Sequence, residues 1–386
     1  MNAKIETLPP PSTTTLPSTG AGPLGRAGWL TVLATVALFT VLMPVLNLWV
    51  PDGHPLHLST TTVALCGKIL CYMMVALAMN LIWGYTGILS LGHGLFFALG
   101  GYAMGMYLMR SIGREGVYQS DLPDFMVFLD WKALPWYWHY TDQLWYCLLL
   151  ALAVPGVLAL VFGYFAFRSR IKGVYFSIIT QALTYAAMLL FFRNETGFGG
   201  NNGFTDFKRI AGFPIAAAET RMVLCALSGL CLLGLVLLSR WLIAAKFGRV
   251  LTAIRDAESR VMFCGYQPLH YKLAVWTFSA VICGLAGALY VPQVGIINPS
   301  EMSVGNSIEI AIWVAVGGRA TLLGPLLGAG IVNGGKSLFT QAFPELWLFC
   351  LGGLFIISTL WLPNGVVGAL ASWRQRRKPA PAEAQS

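Results

Sequence analysis

Charge is scarce in this 386-residue chain: 11% of its residues are Asp, Glu, Lys or Arg, against about 25% in soluble domains. A soluble fold of this length has too much surface for so few charges. Acidic residues are the scarcer sign, 16 against 25 basic, which leaves a net charge of +9. Cysteine is present without a pattern. None of Cys66, Cys71, Cys147, Cys225, Cys231, Cys264, Cys283 and Cys350 makes a C-x-x-C pair. They read as small apolar filler, with neither a zinc site nor a disulfide framework indicated. HExxH, GxSxG and a convincing carboxylate pair are all missing. No catalytic residue, metal or cofactor is therefore expected, and the chain is not expected to be an enzyme. Strict apolar/polar alternation is also missing, which excludes a β-barrel.

What the chain has in excess is apolar length. Hydrophobic residues make up 56% of it, in recurring runs of about 20, each long enough to cross a ~30 Å hydrocarbon core. The reading is an all-α polytopic membrane protein with about ten transmembrane helices. The runs are 29–50, 60–83, 88–109, 144–167, 173–192, 221–243, 273–294, 306–322, 324–343 and 345–363. Residues 1–28 hold PPPSTTTLPSTGAGP and read as a disordered tail. The run at 29–50 is too long for a signal-peptide core and lacks a small-residue cleavage site after it. Residues 29–368 then form one membrane domain, and 369–386 a basic tail.

The even span count places both termini on one side, and basic residues choose the cytoplasmic side. Lys4, Arg26, Arg168, Arg170, Lys172, Lys246, Arg249, Arg255, Arg260, Lys272, Arg319, Arg374, Arg376, Arg377 and Lys378 fall inside. Arg110, Arg114, Lys132, Arg193, Lys208, Arg209 and Arg221 fall outside. The positive charge is thus a topology signal and a lipid-facing tail, and no nucleic-acid partner is expected. The outer segment 110–143 is aromatic, with Trp131, Trp136, Tyr137, Trp138 and Tyr140. It suits an interfacial belt on membrane lipid or a docking platform for an outer partner.

Three stretches are candidates for function. Residues 84–102, GYTGILSLGHGLFFALGGY, crowd glycine and the polar Thr86, Ser90 and His93 into a membrane segment. Glycine there permits close packing or a broken helix lining an aqueous path. The outer loop GFGGNNGFT carries Asn201 and Asn202, either a turn pair or a cover over the mouth of the path. Asn80, Gln181 and Thr184 are further polar groups in the spans. Of the main ionisable residues within spans, Lys68, Glu309 and Lys336, the last two are placed to pair across spans eight and nine or to meet substrate. The third stretch, 244–272, is a charged cytoplasmic loop with a helix-compatible run from Arg249 to Met262, stopped by Gly265 and Pro268. It suits an interfacial helix or one that docks in a groove on a partner.

One motif is rejected. Residues 330–337, GIVNGGKS, fit the phosphate-binding pattern G-x-x-x-x-G-K-[ST], which needs a buried strand before it and a soluble helix after it. Here it sits inside an apolar run.

GYTGILSLGHGLFFALGGY, GRVLTAIRDAESRVMFCGY with Lys272, and AVGGRATLLGPLLGAG together resemble the permease family of branched-chain amino acid ATP-binding cassette importers. The resemblance runs from about residue 60 to 368. LPDFMVFLDWKALPWYW and NETGFGGNNGFTDFKRI resemble the urea-type members. The resemblance implies a multi-pass protein of the bacterial inner membrane and a heterodimer with a second, homologous permease. It further implies two cytoplasmic ATP-binding subunits and a periplasmic substrate-binding protein. By the same carry-over, residues 244–272 are the coupling loop, with Gly248, Arg249, Ala253, Arg255, Asp256, Glu258 and Gly265 at the ATPase contact. The expected cargo is urea or a short-chain amide, which Asn, Ser, Thr and Gln groups would solvate. A branched-chain amino acid is the alternative cargo, and an ion-coupled secondary transporter the alternative class.

Overall fold

The structure, a computed structural model, describes residues 26–51, 54–171, 173–343, 346–361 and 365–376. The N-terminal tail up to residue 25, Lys172 and the basic tail beyond 376 lie outside the described residues.

Each expected span corresponds to one helix. α1 (Arg26–Ala37) continues as π-helical turns at Leu38–Leu42 and Val45–Trp49, on either side of Pro44, which has no N–H to give a helical ladder. α2 (Thr60–Thr86), α3 (His93–Ile112), α5 (Leu144–Arg168), α6 (Val174–Phe192), α7 (Ala218–Ala244) and α9 (Pro268–Val294) follow. These six, with the α1 segment Val32–Trp49, are the seven helices among the described residues long and apolar enough to cross a membrane. The last three expected spans are α10 (Val304–Gly317), α11 (Gly324–Ala342) and α12 (Trp347–Trp361). α10 has 14 residues and rises about 21 Å, short of a full crossing. The remaining helices are α4 (Asp124–Phe128) in the outer segment, α8 (Lys246–Phe263) between α7 and α9, and α13 (Gly365–Arg376).

α3 and α9 form the centre of the domain. Their apolar stretches are 83% and 72% buried, whereas those of α5 and α6 are each 28% buried. α2, α3 and α5 pack around α9, and α5 and α6 turn residues such as Val157, Phe165, Tyr175 and Ile178 outward. Glycine sets the α3–α9 distance. A Cβ at Gly100 would fall on the Gly284 carbonyl, and one at Gly287 on the Phe97 carbonyl. This close approach is what small residues allow between membrane helices.

Strand structure among the described residues is confined to two short pairs. β1 (Phe204–Thr205) pairs antiparallel with β4 (Ile296–Ile297), in the register Phe204 to Ile297. β2 (Arg209–Ile210) pairs with β3 (Phe213–Pro214). The first pair ties the outer loop to the end of α9, over Gly101 and Gly105 of α3. The aromatic outer segment packs on the same loop. Tyr137 donates to the Thr196 carbonyl at 2.9 Å and Trp138 to that of Gly197 at 3.1 Å. Trp136, Tyr140 and Trp145 remain exposed.

Candidate functional site

The third span begins later than its apolar run at 88–109 suggests. α2 ends where Gly87 adopts a left-handed φ of 74° and its N–H bonds the Trp83 carbonyl, a C-cap that glycine favours. Residues 87–92 are then non-helical, and α3 starts at His93. The ring of His93 bonds Ser279 at 2.7 Å, and Ser279 donates to the Ala78 carbonyl at 2.7 Å. Ser279 lies eleven residues into α9, about 16 Å along its axis. The first turn of α3 is therefore level with the middle of α9. Irregular backbone at that depth must be satisfied by protein, and α6 does this. Ser177 donates to the Leu89 carbonyl at 2.8 Å, and Thr180 accepts from the Leu91 N–H at 3.1 Å.

Several residues expected along the path are spent on the backbone. Asn80 is fully buried and staples the loop after α10, donating to the Thr321 carbonyl at 2.8 Å and accepting from Ala320 N–H at 3.1 Å. Thr86 bonds the Ile82 carbonyl, Thr184 that of Thr180, and Ser90 accepts from Gly92 N–H. His93 is 2% exposed, edge-on to Phe96 and Trp276. Gln181 is half-buried, with neither amide atom bonded among the described residues. Asn201 and Asn202 are exposed on the outer loop, and Asn202 lines an outer cavity of about 590 Å³.

Glu309 and Lys336 do meet, at 2.9 Å between α10 and α11. Around them lies a cluster that sequence alone did not disclose. After β4 the chain drops through a 3-10 turn, Pro299–Met302, before α10 starts at Val304. A Cβ on Gly94 would lie 3.0 Å from the Glu301 carbonyl, so Glu301 sits beside the first turn of α3. α10 runs from there to the loop in which Ala320 meets Gly84, near the end of α2. The N-termini of α3 and α10 thus converge. Helix N-termini carry partial positive charge, and converging half-helices mark substrate sites in many transporters. Tyr72 donates to the Tyr290 hydroxyl at 3.2 Å, and Tyr290 donates to Glu301 Oε1 at 3.1 Å. Lys68 lies over the Tyr72 ring, 5.7 Å from its centroid. Tyr72, Gly94, Phe97, Glu301, Glu309 and Lys336 line a cavity of about 30 Å³. At roughly 10–15 Å³ per water, it holds two or three waters. The only sign of Glu301 in the sequence is the turn signal Asn298-Pro299-Ser300 just before it.

The charged loop is shorter than its expected range of 244–272, because α7 runs to Ala244 and α9 already starts at Pro268. Gly248, Val250, Leu251, Ile254 and Val261 form its buried face. Arg249, Ala253, Asp256 and Arg260 are exposed, on a shallow groove of about 490 Å³. Ala257 breaks helical geometry within α8, and Gly265, at φ 83°, follows its end. Two residues turn inward. Glu258 bonds Lys272 of α9 at 2.6 Å. Arg255 bonds Asp256 at 2.9 Å and donates to the Gly84 carbonyl at 2.9 Å. That carbonyl is in the last turn of α2, where orphan carbonyls want a cation or donor. Arg255 therefore joins the exposed helix to the interrupted one. Sequence spacing carried no sign of this, since the partners stand 171 residues apart.

Residues 61–359 match the family model described as the permease component of branched-chain amino acid transport systems. The chain is 24% identical over 353 residues to the high-affinity branched-chain amino acid transport system permease protein LivM of Escherichia coli K12, covering 86% of this chain and 74% of that protein. It is 26% identical over 269 residues to a probable LivM of Methanocaldococcus jannaschii, covering 67% and 75%. A shorter match, 28% over 117 residues, covers 29% of the chain and 32% of the fructose import permease FrcC of Rhizobium meliloti. No solved structure matches the chain.

Proposed function

The chain belongs to the permease-component family of branched-chain amino acid transport systems, and from that membership we propose that it forms the path of an ATP-driven importer for branched-chain amino acids. The family match and the LivM relatives support this cargo better than the urea expected from the sequence. The interior also suits it better, because Lys68, Glu301, Glu309 and Lys336 bring both signs of charge to one region. Urea is neutral and has no use for them.

The observation that carries the mechanism is the Arg255 bond to the Gly84 carbonyl. In this reading α8 offers its exposed face to a cytoplasmic ATP-binding subunit. Its buried face and its bonds to α2 and α9 pass movement to the ends of the membrane helices. A second permease completes the path, and a substrate-binding protein delivers cargo to the outer face. The test is uptake of labelled leucine and labelled urea in cells with and without the gene, at low micromolar concentration. Loss of leucine uptake alone is expected. Loss of urea uptake alone restores the urea reading, and unchanged uptake of both rejects the cargo assignment.

A further inference from the structure

Lys68 and Glu301 are the two charges of the cluster without an ion pair among the described residues. Glu309 and Lys336 neutralise each other at 2.9 Å. Glu301 is held by neutral donors, the Tyr290 hydroxyl at 3.1 Å and the Asn306 amide at 3.5 Å. Lys68 has the face of Tyr72. Tyr72 and Tyr290 stand between Lys68 and Glu301, and the two form no salt bridge among the described residues. A cation and an anion without an ionic partner are costly away from water.

The surroundings narrow what fills the gap. Tyr72 spans it, with Lys68 over its ring and its hydroxyl at the start of the chain that ends on Glu301. Val75, Phe97 and Trp313 line the adjoining cavity, and the Trp313 indole N–H is buried without a partner among the described residues. The site therefore has an end with both signs of charge and an apolar, aromatic end. A zwitterion with an aliphatic side chain matches both, whereas a neutral amide leaves both charges unanswered.

We infer that Lys68 and Glu301 form a clamp for the α-amino acid group of the cargo, Lys68 taking the carboxylate and Glu301 the ammonium, with the side chain directed toward Phe97 and Trp313. This rests on the amino acid reading above. The cavity of about 30 Å³ is smaller than leucine, so the clamp is loaded only where this region widens.

The importer is assembled with its partner subunits in proteoliposomes, with the binding protein saturating so that selection before the permease is constant. Lys68→Met and Glu301→Gln are each expected to lower leucine uptake at least tenfold, while ATP hydrolysis stays within about twofold of wild type. Lys68→Arg, which keeps the charge, is expected to retain a third or more. Wild-type uptake in Lys68→Met and Glu301→Gln overturns the clamp, as does failure of Lys68→Arg to rescue. A second measurement stands even where a variant does not assemble. Labelled leucine bound to the wild-type assembly without the binding protein is competed with leucine, 4-methylpentanoate and isoamylamine. Leucine is expected to compete at least tenfold better than either analogue, each of which lacks one charge. Equal competition by either analogue overturns the assignment of the charge it lacks, and with it the clamp. A wild-type importer that moves no leucine defeats the amino acid reading itself, a distinct result from variants that move it normally.

Discussion

Two interruptions divide the membrane helices, and they are built in opposite ways. Between α2 and α3, residues 87–92 have their polar groups answered by α6, by Ser90 and by the Trp83 carbonyl. Between α9 and α10, the turn at Pro299–Met302 faces a cavity and charges that are not all paired. The first has what a rigid joint needs, fixed backbone and a close tie to α8 through Arg255. The second has what a contact with cargo needs, space and unmatched charge. A broken helix alone therefore does not identify a substrate site. Whether its polar groups are already satisfied separates a joint from a binding place.

The largest effect is expected where the joint meets the core. Gly100→Val puts carbon onto the Gly284 carbonyl and should cost about 3 kcal/mol, toward the upper end for overpacking. Loss of folded protein from the membrane, followed by fluorescence-detected size exclusion, checks it. His93→Leu removes the bond to Ser279 and should cost about 1–3 kcal/mol, read as a fall in melting temperature. A melting temperature equal to wild type would break the contrast, because it would make His93 free to serve the path. Arg255→Ala keeps the helices folded but removes the tie to Gly84. It should lower leucine uptake about fivefold, consistent with the loss of one charge-assisted bond, while ATP hydrolysis continues. The smallest effect is at the outer surface. Arg114 and Asp121 bond at 3.0 Å with 77% and 78% of their side chains exposed, where ion pairs contribute little. The Arg114 guanidinium holds the Asp121 carboxyl below its usual range. Its small contribution is present at neutral pH and fades as pH falls through the lowered value. Asp121→Asn should leave uptake within twofold at pH 7.

Much of the fold was legible because a membrane span announces itself by length. Every apolar run named from the sequence overlaps one helical segment, though α3 starts after its run and α10 ends before its run does, and α8 stands out because it is charged between two such runs. The start of α3 was not legible, since Leu89 and Leu91 are as apolar as any helical residue. What stops the helix is the left-handed Gly87 together with hydroxyls on α6. Asn80 shows the limit for candidate path residues. Composition marks a polar group in a span, but its partners at Ala320 and Thr321 lie about 240 residues away. Glu309 and Lys336 were legible as a pair because charges in adjoining apolar runs seek each other. Glu301 was not, because a carboxylate in a turn between spans reads as an exposed loop residue.

The most direct test of the joint-and-contact account is the number of leucine molecules imported per ATP hydrolysed, measured side by side for wild type, Arg255→Ala and Arg249→Ala, a control that leaves the Arg255–Gly84 bond in place. Arg255→Ala is expected to lower this ratio several-fold, while Arg249→Ala, at an exposed residue on the α8 groove, changes the ATPase rate with the ratio kept. An unchanged ratio in Arg255→Ala would contradict it, because α8 would then drive the membrane helices by some route other than the end of α2.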